Sequence, residues 1–284
     1  MRLPVNGYET YCYTGGRSFN AALPTIVLIH GVLNDHSVWA MQSRWLANHG
    51  WNVLAVDLPG HCRSAGPAPE SVEEAADFVI ALLDALKVER AALVGHSWGS
   101  LIALEAASRL GERASHLALV GTAWPMKVSP ALLDAALNEP EKALRMINVF
   151  SRSTLCAPPS ALGPGTWVFG AQMALGRRVL ASNTELNVFH RGFMACDQYA
   201  GGDVAIAQIK CPVLFALGAQ DQMTTPKAAQ ALIAAARAAG KAVSVRMLPV
   251  GHNEMTEAPE ETLAALREFL ANKGAQLEKR SRQK

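Results

Sequence analysis

Three residues of this 284-residue chain have the types and order of a nucleophile, an orienting acid and a base: Ser97, Asp221 and His252. Ser97 stands between two glycines in "ALVGHSWGSLIAL" (Ala92 to Leu104), where an apolar run meets a small-residue helical pattern. A serine hydroxyl is a poor nucleophile at neutral pH unless a base takes its proton, and a third group must hold that base in the right tautomer. Asp221 follows "VLFALGAQ" and His252 follows "VRMLPV", each just past a strand-like run. In a parallel sheet both loops leave the same edge as Ser97. A strand ending near Gly95 and a helix starting near Trp98 put the serine on a tight turn, with Gly95 and Gly99 allowing close backbone approach. The helix start adds free amides and a dipole that favour developing negative charge. The plainer role for Ser97, that of a helix N-cap, leaves Asp221 and His252 without a reason to follow in that order.

Elements must position these groups, and the chain reads as an alternation. "RLPVNGYETYCYT" has an Asn6-Gly7 turn between two short runs and predicts a hairpin. "TIVLIH" (Thr25 to His30), "WNVLAVD" (Trp51 to Asp57), "AALVG" (Ala91 to Gly95), "HLALVG" (His116 to Gly121), "CPVLFALG" (Cys211 to Gly218) and "AVSVRMLP" (Ala242 to Pro249) are near-continuous apolar runs. Such runs fit parallel strands covered on both faces. Helical patterns separate them: Ser71 to Leu86, with Ser71 and Glu74 at capping-box spacing, Ser97 to Leu110, Pro226 to Ala239 and Pro259 to Asn272. The alternation predicts an α/β doubly wound fold.

The rhythm breaks between Thr122 and about Asp203, where no strand-like run occurs. Helical fragments Pro130 to Val149 and Gly170 to Leu180 flank "CAPPSALGPG", whose prolines and glycines break any helix. The stretch is too long for a loop in a compact domain and predicts an inserted helical cap. The expected division is 1–121 and 206–273 as the core, 122–205 as the cap and 274–284 as a basic, disordered tail. The cap's aromatic and methionine residues could form its own core or roof an apolar pocket.

Composition excludes several classes. The chain has 26 basic and 24 acidic residues, and Lys279, Arg280, Arg282 and Lys284 sit in the tail, so no nucleic-acid face is expected. No apolar stretch approaches the roughly 18 residues of a membrane span, and the N-terminus lacks the apolar core of a secretion signal. A cytoplasmic location is the expectation. Five cysteines, with no CxxC pair and no histidine cluster, argue against a disulfide framework or a zinc site.

On these residues the chain resembles the α/β-hydrolase superfamily, in its serine-nucleophile, esterase-like branch with a helical cap, over essentially its whole length. Ser97 matches the nucleophile of GxSxG, Asp221 the acid after strand seven and His252 the histidine after strand eight. His30-Gly31 in "LIHGV" matches the His-Gly after strand three. "DLPGHCRS" (Asp57 to Ser64) matches a frequent family segment, and Trp39 matches an aromatic that often follows the His-Gly. The resemblance implies a mostly parallel twisted sheet with helices on both faces and the cap inserted after strand six. It also implies an oxyanion hole built from the backbone amides of Val32 and Trp98, at which removing one donor typically costs about 100- to 1,000-fold in turnover.

The reading that follows is a cofactor-independent, metal-free serine hydrolase that cleaves a carboxylic ester of a small to medium apolar substrate through an acyl-enzyme on Ser97. Carbon-carbon hydrolysis, thioester hydrolysis and perhydrolysis remain open uses of the same triad. A ligand-binding, receptor-like protein with little turnover is the alternative of another class. Haloalkane dehalogenases and epoxide hydrolases need a carboxylate where this chain has Ser97, and the HGGPG of proline iminopeptidases is replaced by "HGVLN". A small-molecule substrate is expected, with the chain a monomer or homodimer. Asn34, Trp124 and His190 are candidate substrate contacts, Asp35 a candidate N-cap, and His30 a structural residue orienting the loop below the oxyanion hole. Cys62 stands where the family usually has glycine, and a locally shifted loop is expected there.

Overall fold

The computed structural model describes residues 1–152 and 168–271; "CAPPSALGPG" and the basic tail lie outside them. Strands β1 (Arg2–Val5) and β2 (Tyr8–Tyr13) form the expected hairpin. Asn6 and Gly7 both have positive φ between them, as a two-residue turn matching the strand twist requires. Then come β3 (Thr25–Ile29), helix α1 (Ala40–Asn48), β4 (Asn52–Val56), α2 (Val72–Ala85), β5 (Ala91–His96), α3 (Trp98–Leu110) and β6 (Ala114–Val120). Five helices follow: α4 (Pro130–Asn138), α5 (Pro140–Phe150), α6 (Val168–Ser182), α7 (Val188–Gln198) and α8 (Gly202–Gln208). The chain closes with β7 (Val213–Gly218), α9 (Gln230–Ala238), β8 (Val243–Leu248), α10 (Glu254–Glu257) and α11 (Pro259–Ala271).

The strands form one sheet in the order β1-β2-β4-β3-β5-β6-β7-β8, parallel from β4 to β8. Each central strand is apolar on both faces because each face meets helices. Val27, Ile29, Leu93 and Leu117 pack with α2 and α3, whereas the alternating Ile26, Leu28, Val94 and Ala118 pack toward α11 and the inserted helices. This is the doubly wound α/β arrangement.

Four details differ from the sequence reading. The helix expected over Pro130 to Val149 is two helices, because Pro140 offers no backbone donor and starts a new helix after Glu139. The helix expected from Pro226 begins at Gln230, after a turn. Strand β8 is an edge strand, with Ser244 to Met247 exposed, so its run is not covered on both faces. The expected seam at 205–206 falls inside α8, which packs against α3 and buries Ile206 in the same cluster as Leu104.

Candidate active site

Strand β5 runs into α3 through Ser97, whose φ of 54° and ψ of −120° lie in a region that L-residues avoid. Two glycines make that turn feasible. A Cβ on Gly95 would lie 1.9 Å from the Gly99 carbonyl oxygen, and one on Gly99 would lie 2.5 Å from the oxygens of Ile29 and His30. The Ser97 amide donates to Val120 O at 2.9 Å, which ties the turn to the neighbouring strand. Although Ser97 occupies the N-cap position of α3, its side chain makes no capping hydrogen bond. The hydroxyl is therefore not spent on the helix.

The loops after β7 and β8 bring Asp221 and His252 together at the same edge. His252 Nδ1 donates to Asp221 Oδ2 at 2.8 Å. The Asp221 carboxylate also accepts from the amides of Met223 (2.7 Å) and Thr224 (2.9 Å) and from Thr224 Oγ1 (2.7 Å). Burial pushes its pKa up, but the His252 imidazole and these hydrogen bonds outweigh burial and hold it below the ordinary carboxylate value. The His252 amide donates to Ser151 O at 2.8 Å, fixing the loop to the end of α5. Ser97 and His252 line two adjoining cavities together.

Residues 24–259 match the alpha/beta hydrolase fold family. The chain belongs to that family. Over 87 residues, 30% of its length, the chain is 37% identical to an epoxide hydrolase of Caballeronia sordidicola, covering 26% of that protein. Over 279 residues, 95% of its length, it is 26% identical to protein ABHD8 of Bos taurus and covers 61% of it. The chain thus spans less than two thirds of the length of these curated relatives. Among solved structures, the enol-lactonase of Burkholderia xenovorans LB400 is similar at 26% identity with a TM-score of 0.78, over 95% of this chain and 100% of that one.

The other predicted residues are placed unevenly. Val32, in the loop after β3, lines the smaller cavity, and Trp98 opens α3, where the first amides of a helix have no partner within it. Asn34 is buried and lines the same cavity. Trp124 does not line either cavity; its indole packs edge-on against Tyr199 with ring centres 5.4 Å apart, beside Gly202. His190 is also outside them, one turn along α7 from Phe193, which lines both. The place of His190 was not legible from sequence, because which turn of an inserted helix meets the site depends on how that helix docks.

His30 is buried, donating from Nδ1 to Gly31 O at 2.8 Å and accepting at Nε2 from the Leu58 amide at 3.2 Å, so it braces the loop that carries Val32. Asp35 is the N-cap of the 3-10 turn His36–Trp39, accepting from the Ser37 amide at 2.8 Å, and it also pairs with Arg178 of α6 at 2.6 Å. Cys62 has φ of 46°, so the loop is not shifted and a non-glycine residue holds a left-handed backbone. Its amide donates to Ser182 Oγ at 2.9 Å and its thiol to Asp35 Oδ2 at 3.4 Å, and these contacts with α6 and Asp35 hold it there.

Sequence reasoning missed a second carboxyl at the site. Glu254, two residues after His252, is fully buried, with Oε2 3.5 Å from His96 Nε2. It flanks Gly121 together with His252: a Cβ on Gly121 would lie 2.9 Å from Glu254 Oε1 and 3.2 Å from His252 Nδ1. Burial, then the nearby Asp221 charge, raises its pKa well above the usual value, which favours a neutral carboxyl. His96 completes this layer, donating from Nε2 to His252 O at 2.7 Å, with burial lowering its pKa to about 3. Burial thus favours the neutral forms of both groups that pack behind the Asp221–His252 pair.

Proposed function

We propose that this hydrolase cleaves carboxylic esters of small molecules through an acyl-enzyme on Ser97. The observation that carries the reading is the uncapped Ser97 hydroxyl, lining the same cavities as a histidine whose Nδ1 is held by a buried aspartate. Ser97 Oγ attacks the ester carbonyl carbon while His252 Nε2 takes its proton, and the amides of Val32 and Trp98 receive the charge that develops on the carbonyl oxygen. Collapse of the tetrahedral intermediate breaks the bond to the alcohol, which leaves with the proton from His252. Water then attacks the acyl carbon, giving its proton to His252, and the acid departs as Ser97 recovers its proton. Asp221 stays ionised throughout and fixes the imidazole tautomer.

The test is turnover of p-nitrophenyl esters from acetate to long acyl chains, wild type beside Ser97→Ala. Ester turnover that disappears in a folded Ser97→Ala protein is the expected result. Retention of more than about 5% of the rate, far above what loss of a triad nucleophile leaves, removes Ser97 from the nucleophile's role.

A further inference from the structure

The two cavities that meet at Ser97 differ in size and in chemistry. The smaller, about 40 Å³, has a mixed lining in which Asn34, Asn148, Ser151, Gln172 and Asn253 stand among apolar side chains such as Leu33 and Leu144, and its described lining holds no carboxylate, ammonium or guanidinium group. That volume holds about three water-sized groups. The larger, about 290 Å³, is walled mainly by apolar side chains, among them Met126, Val128, Leu132, Met146 and Phe150. Helix α5 runs between them. It gives Leu144, Ile147 and Asn148, with Ser151 just past its end, to the smaller cavity and Met146 and Phe150 to the larger, while Phe193 and Met223 line both.

Asn148 sets the polarity of the short arm. It is 2% exposed; Nδ2 donates to Leu144 O at 2.9 Å, but Oδ1 has no partner among the described residues. A buried amide oxygen left unmet is costly, so the Asn148 carboxamide, in a residue that lines the cavity, keeps capacity for a further donor. The neighbouring Gln172 cannot compete for that donor with its own amide nitrogen, since Nε2 already donates to Asn253 Oδ1 at 3.1 Å.

We infer that the substrate is an uncharged ester with two unequal arms: a compact one bearing a hydroxyl or amide N–H beside Asn148, and a medium-length apolar one against Met146 and Phe150. This rests on the ester-hydrolase reading of the same site. A charged group in the short arm would be desolvated without a counter-charge, and a methyl group would leave Asn148 Oδ1 unmet.

Four esters test it by pH-stat: 2-hydroxyethyl hexanoate beside propyl hexanoate, and hexyl glycolate beside hexyl propanoate. Each pair exchanges a hydroxyl for a methyl, once on the alcohol side and once on the acyl side. The expected result is that one pair favours the hydroxyl ester at least about tenfold in kcat/KM, the effect of one well-made hydrogen bond. Asn148→Leu abolishes that ratio. Met146→Trp, at a partly exposed position, lowers the rate on the preferred hexyl-armed ester at least about tenfold relative to its ethyl-armed counterpart. No hydroxyl preference in either pair, a preference that survives Asn148→Leu, or an unchanged chain-length ratio in Met146→Trp overturns the inference. If no ester turns over, the ester reading fails separately, and binding decides the two-armed pocket. Calorimetry on Ser97→Ala with the four matching amides, such as N-(2-hydroxyethyl)hexanamide against N-propylhexanamide, then gives either tighter binding of one hydroxyl compound, as inferred, or equal binding, which overturns it.

Discussion

At the scale of single residues, two carboxyls near His252 have opposite tasks set by their surroundings. Asp221 accepts four hydrogen bonds that hold its pKa down, while burial and the Asp221 charge push that of Glu254 up. Asp221→Asn is expected to lower kcat by about 10,000-fold with the fold retained, because an amide there favours the wrong imidazole tautomer; single-turnover kinetics beside circular dichroism check it. The Glu254 prediction concerns stability. Its folded pKa lies above the unfolded value near 4.5, so the unfolded chain releases this proton first, and stability falls as pH rises from about 4.5 toward the folded pKa. The buried histidines act with the opposite sign over the same range, so the readout is a difference: Tm of Glu254→Gln minus that of wild type is expected to grow as pH rises above about 4.5. A constant difference would show that Glu254 ionises alike in both states. Asp221 and His252 were legible from their place after strand-like runs. Glu254 was visible as a letter, but its burial against Gly121 was not.

At the scale of elements, the turn from β5 to α3 is where the sequence spoke most directly. Gly95 and Gly99 are required by carbonyl oxygens that would overlap any Cβ. Gly95→Ala is expected to force β5 and α3 apart, lowering Tm by several degrees for a cost of about 1–3 kcal/mol and reducing ester turnover; differential scanning calorimetry and the p-nitrophenyl assay read both. The cap helices were legible in kind and not in placement. Pro140 split one expected helix, and the docking of α7 turned Phe193 toward Ser97 in place of His190. Cys62 belongs here too. Its left-handed backbone is held by α6, which is 120 positions away in sequence at the Ser182 contact.

At the scale of the whole molecule, three buried histidines couple the fold to acid. Burial lowers the pKa of His30, takes His61 to about 4 and takes His96 to about 3, all from an ordinary 6.5. Below about pH 6.5 the unfolded chain gains protons that the folded protein does not, so the histidines' contribution to stability is full above that value and is lost as pH falls toward 4. Asp221, with its depressed pKa, adds a loss of the same sign at lower pH. Tm measured from pH 7 to pH 4.5 is expected to fall steadily, and His61→Gln to make the fall shallower. A flat profile would mean these rings protonate without unfolding. Among the described residues no helix is long and apolar enough to cross a membrane.

The sequence alone determined what depends on short range. Strand runs, helix starts, the GxSxG turn and the order of Ser97, Asp221 and His252 follow from local sterics, propensity and the rule that parallel strands send their loops to one edge. Tertiary structure decided what depends on distant groups meeting: Thr224 Oγ1 on the Asp221 carboxylate, Glu254 buried behind His252, and Asn148 brought to the cavity that Ser97 lines. A side chain's charge state and its free hydrogen-bonding capacity are properties of its neighbours, and those neighbours are assembled only when cap and sheet pack together.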